Sequence, residues 1–154
     1  MKLDWKKLLV ALGIPLGVGA LAALLTGMDG YGNLNRPPLS PPGWVFPVVW
    51  TILYLLMGYA AYRVETSEAP KEQKKSALRL YYTQLAVNFL WPLIFFGLEW
   101  RLLALWVILL LWVLIYYMVN RFGKIDEIAG NLLLPYILWV TFAAYLNLGA
   151  FLLN

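Results

Sequence analysis

Amide and indole side chains within long apolar stretches are the residues of this chain best suited to specific chemistry. Gln84 and Asn88 share a helical face with Trp91 and Phe95, at spacings of i, i+4, i+7 and i+11. An amide in hydrocarbon must find a hydrogen-bond partner. Both amides are therefore predicted to point into a bundle of helices, where two roles stay open: contact with a ligand, or hydrogen bonds between neighbouring helices.

Two further helical faces carry large aromatic rings. Phe46, Trp50 and Tyr54 recur at every fourth position, and Trp139 is followed one turn later by the small residue Ala143. A large ring beside a small residue leaves space, and the indole N–H group supplies a polar handle. These faces predict a cavity for a large, flat, apolar ligand.

The composition excludes several kinds of chemistry. The chain has no histidine and no cysteine, and no charged residue lies within its apolar stretches, which argues against metal clusters, histidine acid–base catalysis and proton relays. It has no glycine-rich phosphate loop of the kind that ATP-driven transporters use. Its basic residues are scattered and mixed with Glu65, Glu68 and Glu72, so a nucleic-acid partner is not expected. We expect no metal and no required cofactor.

The elements that position these residues are predicted to be membrane-spanning helices. The 154-residue chain is 62% hydrophobic and 13% charged, with a mean hydropathy of +0.71, more apolar surface than a soluble domain can bury. Five continuous uncharged runs approach the roughly 20 residues that a helix needs to cross a bilayer. They lie at 8–26, 44–62, 80–98, 102–120 and 128–153. We predict an all-α membrane protein, with residues 1–154 forming a single domain of five transmembrane helices.

The first of these runs has two open interpretations. A signal peptide is a competing explanation, because lysines precede the run, but the apolar core of a signal peptide is only roughly 7–15 residues long. Gly13 and Gly17 have the spacing of a helix–helix contact. They predict either a seam between two copies of the chain or, as the favoured interpretation, a close approach by another helix of the same chain.

Two of the connections have distinct compositions. Residues 27–42 contain two proline pairs, which predict an ordered lid over one end of the bundle rather than a flexible connection. The lid residues of interest are Tyr31, Asn35, Pro41 and Pro42. Residues 66–76 are short and charged, and we predict a cytoplasmic linker there.

The distribution of basic residues predicts the orientation. With five spans, the N-terminus and the second and fourth connections lie on one side, and they carry every one of the 12 basic residues except Arg36 and Arg101. Such an imbalance places the N-terminus in the cytoplasm and the C-terminus outside, if the host is a bacterial inner membrane.

Three segments of the chain resemble the translocator protein family, whose members are also called tryptophan-rich sensory proteins. The matching segments are Asn35-Arg36-Pro37-Pro38 with Pro41-Pro42 and Phe46-x-x-x-Trp50-x-x-x-Tyr54; Gln84-x-x-x-Asn88-x-x-Trp91 with Phe95-Phe96-Gly97; and Pro135-Tyr136-x-x-Trp139-x-x-x-Ala143-x-x-Leu146-Asn147. They follow one another in order and extend over almost the whole chain.

The resemblance implies both an architecture and a ligand. Members of this family are five-helix membrane bundles, often homodimers, and bind porphyrins such as protoporphyrin IX and heme in a pocket open toward the first loop. By resemblance the pocket would be lined by Trp50, Asn88, Trp91, Trp139 and Ala143, with Phe46 and Tyr54 on its wall. Some bacterial members are reported to promote light-dependent breakdown of protoporphyrin IX, a reaction in which Trp50 and Trp139 would donate electrons.

The chain departs from the animal members at two places. Their sterol-recognition pattern needs a basic residue after a tyrosine, whereas Tyr145 is followed by Leu148 and Leu152, so cholesterol binding there is not expected. Leu103 stands where the animal proteins carry a tryptophan. Three functions remain open: a porphyrin-binding sensor or translocator, a photo-oxidase using the same tryptophans, and a passive scaffold whose aromatic rings only pack.

Overall fold

The computed structural model describes residues 3–26 and 34–154, and this part of the chain is helical without any strand. The helices are α1 (Trp5–Thr26), α2 (Val45–Glu65), α3 (Lys71–Pro92), α4 (Arg101–Ile125), α5 (Glu127–Leu132) and α6 (Leu134–Leu153). Tyr31 and the first part of the predicted lid lie outside the described residues. The all-α prediction is confirmed for the described part of the chain.

Helix α1 packs closely against α2 at Gly58 and Gly19. A Cβ atom built on Gly58 of α2 would lie 2.5 Å from the carbonyl oxygen of Ala11, and one built on Gly19 would meet the ring of Tyr54. Among the described residues, Gly13 and Gly17 have no atom within 4 Å of such a position. The favoured interpretation, that Gly13 and Gly17 admit another helix of the same chain, is therefore wrong.

Helix α3 begins earlier and ends differently from the predicted span at 80–98. It starts at Lys71, so the connection predicted at 66–76 is only five residues long and the rest of it is helical. Pro92, which has no N–H group, is followed by a π-helical segment, Leu93–Gly97, closed by a hydrogen bond from Leu98 N to Leu93 O at 3.0 Å. This wider turn ends the helix and presents a cluster of phenylalanines.

The fifth predicted run is divided into α5 and α6. Asp126 begins α5 as its N-cap, where its carboxylate accepts the N–H of Ala129 and also contacts Arg63 of α2 at 3.1 Å. Leu133 separates the two helices, and Pro135 lies in the first turn of α6, where a missing N–H costs little. The ion pair thus joins α2 to the connection after α4.

Within residues 3–26 and 34–154, four stretches are long and apolar enough to cross a membrane: α1, α2, α4, and α5 together with α6. Helix α3 does not qualify, because charged residues occupy its first turns and it ends at Pro92, so the predicted number of five spans is not confirmed. Many outward side chains are large and apolar, among them Leu24 and Leu138, which are 81% and 70% exposed. The structure therefore supports an integral, multi-pass membrane protein.

Candidate ligand-binding site

The aromatic face of α2 lies against aromatic side chains of α6. The rings of Trp50 and Tyr54 stack at 5.6 Å, and Phe46 and Trp50 contact Trp139 edge-on, with centroids 5.7 and 6.5 Å apart. Trp50 also lies edge-on to Tyr136 at 6.3 Å. These rings form one continuous aromatic wall between the two helices.

The wall borders a cavity beneath the segment that precedes α2, which we call the loop cavity. Its free volume, measured to the centre of a water-sized sphere, is about 40 Å³. Its lining is almost entirely apolar and includes Arg36, Pro37, Phe46, Trp50, Trp91, Phe95, Phe96, Trp139, Ala143 and Asn147. The loop cavity is thus a closely packed aromatic site with little free space.

A second and much larger cavity lies on the opposite side of Trp50 and Trp91, and we call it the α1 cavity. Its free volume by the same measure is about 400 Å³. It is lined by small residues of α1 and by parts of α2 and α3, among them Gly19, Ala20, Ala23, Thr26, Trp50, Thr51, Tyr54, Asn88, Trp91 and Phe96. Trp50, Trp91 and Phe96 line both cavities and so form a partition between them.

The two predicted amides lie at the centre of the bundle and are bonded to tyrosines. Asn88 accepts a hydrogen bond from the hydroxyl of Tyr54 and donates one to that of Tyr136, both at 2.8 Å. Tyr136 donates in turn to Gln84 Oε1 at 2.7 Å, and the Gln84 amide approaches the sulfur of Met57 at 4.0 Å. This arrangement matches the inter-helix role left open by the sequence, since α2, α3 and α6 are joined through Asn88.

Gln84 and Asn88 differ in their access to a ligand. Gln84 is fully buried, and neither cavity includes it in its lining. Asn88 is 3% exposed and lines the α1 cavity. An amide side chain has two donor hydrogens and two lone pairs, and Asn88 uses one of each for the tyrosines, so it keeps capacity for a further bond.

Two tryptophans of the site differ in how their N–H groups are satisfied. Trp91 donates to Asn147 Oδ1 at 2.9 Å, and the Asn147 amide donates to the carbonyl oxygen of Arg101 at 2.9 Å. The Nε1 atom of Trp139 is buried and, within the described part of the chain, has no hydrogen-bond partner. A buried donor without an acceptor is costly, so this N–H is available to an acceptor atom of a ligand.

The described part of the predicted lid is held against the end of α6. Asn35 N donates to Asn154 Oδ1 at 3.2 Å, Asn154 returns a bond to the Asn35 carbonyl at 2.9 Å, and Tyr145 donates to the carbonyl of Pro38 at 2.7 Å. Pro37 is buried against Gly149. Pro41 and Pro42 follow in the same segment, although neither lines the loop cavity.

Two features of the site escape the sequence analysis: the role of Tyr136, which bonds to both amides, and the cavity wall formed by small residues of α1. The hydroxyl of Tyr136 bonds to both Asn88 and Gln84. The sequence analysis does not name Tyr136 as a site residue, because it lies outside the spacing that relates Trp139 to Ala143. The small residues of α1 carry no chemistry that would identify them as a cavity wall. The sequence does contain a signal for Tyr136. This residue follows Pro135, which lies in the first turn of α6, and it lies three residues, about one helical turn, before Trp139.

These observations define a multi-pass membrane protein whose helices enclose two adjoining cavities with a largely aromatic, apolar lining. The family model described as TspO/MBR matches residues 11–153. The chain is 41% identical to a tryptophan-rich sensory protein of Cereibacter sphaeroides over its full length and 95% of that protein, and 36% identical to the tryptophan-rich protein TspO of Chlorobaculum tepidum, covering 96% and 95%. It is 36% identical to a translocator protein of Bos taurus, covering 84% and 79%. The chain belongs to the TspO/MBR family.

Proposed function

We propose that this protein binds porphyrins, protoporphyrin IX and heme among them, as a membrane sensor or translocator. The observation that carries the proposal is the set of tryptophan faces, Trp50, Trp91 and Trp139, that border two adjoining cavities. Flat aromatic rings favour a flat conjugated ligand, and the unpartnered N–H of Trp139 suits a carboxylate or carbonyl oxygen on its edge. The names of the relatives, which include sensory and translocator proteins, support the same assignment.

The free volumes indicate where a porphyrin would enter. The loop cavity, at about 40 Å³, is too small for a tetrapyrrole, whereas the α1 cavity, at about 400 Å³, falls within the usual range for small-molecule sites. We therefore place the ring first in the α1 cavity, against Trp50 and Trp91. Displacement of the segment before α2, which exposed hydrogen bonds hold to the end of α6, would then enlarge the loop cavity beside Trp139.

The test is a titration of the purified protein with protoporphyrin IX in the dark, followed by tryptophan quenching. Because an aromatic contact contributes about 0.5–1.5 kcal/mol beyond its buried area, Trp50→Phe and Trp139→Phe are each expected to weaken binding by about two- to tenfold. Trp106→Phe is the matched control, since Trp106 is 64% exposed on α4 and lines neither cavity. Non-saturable quenching, or equal weakening in all three variants, would leave only the passive scaffold.

Light-dependent breakdown of protoporphyrin IX is a second candidate, favoured by the ring contacts of Trp50. Its indole touches Tyr54, Tyr136 and Trp139, so a photo-excited ring held against Trp50 would lie beside a cluster of oxidisable side chains. Loss of porphyrin absorbance under illumination in wild type, but not in Trp50→Phe or Trp139→Phe, would support this enzyme. A porphyrin stable in light would reject it.

We further propose the arrangement in the membrane. The uncharged part of α3 together with the π-helical segment extends from residue 80 to 97, which at 1.5 Å per residue covers roughly 27 Å and suits a fifth span. The distribution of basic residues supports an N-terminus in the cytoplasm and a C-terminus outside, if the host is a bacterial inner membrane. A homodimer would use the open α1 face at Gly13 and Gly17. Cysteine accessibility in inverted and right-side-out vesicles tests the orientation.

A further inference from the structure

A groove between α3 and α4 lies at the opposite end of the bundle from the loop cavity. It is lined by Gln73 and Ser76 of α3 and by Arg121, Lys124 and Ile125 of α4, with a free volume of about 180 Å³. It shares no residue with either cavity of the aromatic site. The groove therefore needs an explanation of its own.

Two cations face this groove without a compensating carboxylate. Arg121 and Lys124 are three residues apart, so they lie on the same side of α4. Within residues 3–26 and 34–154 the one ion pair joins Arg63 to Asp126, and neither groove cation takes part in it. Arg121 is held by Ser76, whose hydroxyl oxygen accepts from its Nη1 at 3.1 Å across the two helices. A positioned guanidinium beside an ammonium, with hydroxyl and amide groups nearby, suits an oxygen-rich anion.

The groove lies at the depth of lipid headgroups. Tyr116 and Tyr117, one turn earlier on α4, are 50% and 53% exposed, as is typical of aromatic residues at a membrane interface. Arg121 and Lys124 follow at about 6 Å and 10 Å further along the helix axis from Tyr117, at 1.5 Å per residue. This places the two cations beside the phosphate layer rather than in hydrocarbon or in bulk water.

We propose that this groove is a binding site for the phosphate of an anionic phospholipid. Arg121 and Lys124 would hold the phosphate oxygens, while Ser76 and Gln73 would bond to polar groups of the head. The acyl chains would follow the exposed apolar surface of α4, where Leu109, Leu110 and Val113 lie. A lipid is favoured over free phosphate because all four polar residues of the groove are exposed, and exposed apolar side chains continue from it along α4.

The test compares lipid retention by the purified full-length chain in nanodiscs of phosphatidylglycerol and phosphatidylcholine, measured by native mass spectrometry after release into detergent. Each cation near an anionic surface contributes about 1 kcal/mol, which is about fivefold in binding. Loss of both in Arg121→Gln/Lys124→Gln is therefore expected to weaken phosphatidylglycerol binding by roughly 30-fold. Lys124→Gln alone keeps the bond between Arg121 and Ser76 and is expected to weaken binding by about fivefold.

The matched control is Lys71→Gln/Lys75→Gln, which removes the same charge from exposed positions of α3 that do not line the groove. Retention within about threefold of wild type supports a localised site, because the general attraction of an anionic bilayer is absent once the protein is in detergent, so only direct contacts with the retained lipid count. Equal loss in both double variants, or equal retention of phosphatidylcholine, overturns the proposal. Displacement of phosphatidylglycerol by millimolar inorganic phosphate would assign the groove to a free anion and overturn it as well.

Discussion

Replacement of Asn88 by leucine is expected to destabilise the bundle through the tyrosines that it leaves behind. The change removes two hydrogen bonds of 2.8 Å, to Tyr54 and Tyr136. Bonds between membrane helices contribute about 0.6 kcal/mol each on average. Tyr136 keeps Gln84 as a partner at 2.7 Å, whereas the Tyr54 hydroxyl loses its described partner. A buried group without a partner costs about 1–3 kcal/mol more, so the total loss is about 2–4 kcal/mol.

A double-mutant cycle separates this orphaned hydroxyl from the lost bonds. Tyr54→Phe in the Asn88→Leu background removes the hydroxyl that has no partner, so the double variant is expected to recover at least about 1 kcal/mol relative to the sum of the single losses. The assay is equilibrium unfolding in mixed micelles, followed by tryptophan fluorescence. Tyr117→Phe is the control, since Tyr117 is exposed at the bundle surface. Additive losses would refute the reasoning, because they would mean that the hydroxyls do not depend on Asn88.

The same variants decide between the two roles left open for the amide. If Asn88 acts only between helices, the folded Asn88→Leu and Tyr54→Phe proteins should bind protoporphyrin IX with similar affinity. If Asn88 also contacts the ligand from the wall of the α1 cavity, Asn88→Leu should weaken binding more than Tyr54→Phe does. A charge-neutral hydrogen bond to a ligand is worth about 0.5–1.5 kcal/mol, which is about two- to tenfold in the dissociation constant.

Three further changes test the packing, the connection after α4 and the segment before α2. Gly58→Ala should lower the free energy of unfolding by about 1–3 kcal/mol, because its Cβ atom would press on the α1 backbone. Gly13→Ala meets no described atom within 4 Å and should raise the free energy of unfolding by about 0.5–1 kcal/mol. Equal losses in the two variants would mean that the Gly13 face is covered. Burial alone would raise the pKa of Asp126, but the N-cap bond and Arg63 hold this pKa below its ordinary value. The ionised carboxylate therefore stabilises the fold above about pH 4, and this stabilisation is lost as the pH falls further. In thermal melting, Asp126→Asn should lack this acid-dependent loss, and a pH profile like that of wild type would contradict the assignment. Leu39 is 85% exposed and has a φ of 71°, a left-handed conformation that glycine adopts more easily than leucine. Leu39→Gly should therefore be neutral or raise the free energy of unfolding by up to about 1 kcal/mol. A lower melting temperature would show that the leucine side chain has a contact of its own.

The sequence predicts those parts of the fold that depend on regular spacing. The faces of α2 and α3 follow from aromatic and amide residues repeated at helical intervals, and the structure places Trp50 edge-on to Trp139 and bonds Asn88 to Tyr54. Hydropathy identifies helices well because lipid leaves the backbone few other ways to satisfy its hydrogen bonds. These features are local, so a single chain is enough to find them.

Features that depend on packing between elements are poorly predicted. Gly13 and Gly17 have the spacing of a contact, yet Gly58 and Gly19 make the close approaches, since spacing says nothing about which face meets a neighbour. The break at Leu133 and the helical start at Lys71 were also missed. A hydropathy average does not resolve a one-residue break such as the one at Leu133. It also gives no sign of the helical start at Lys71, because the residues there are charged, although charged residues form helices readily.

The strengths of the bonds around the loop cavity indicate which side opens to admit a large ligand. The indole of Trp91 is held from within by Asn147, in a partly buried bond of 2.9 Å. The segment before α2 is held by the bonds between Asn35 and Asn154, all of which are exposed to solvent. Exposed bonds exchange with water at little cost, whereas a buried bond must be broken without replacement. The segment before α2 therefore releases more readily than the partition, so a ligand that widens the loop cavity is expected to lift this segment while Trp91 stays in place.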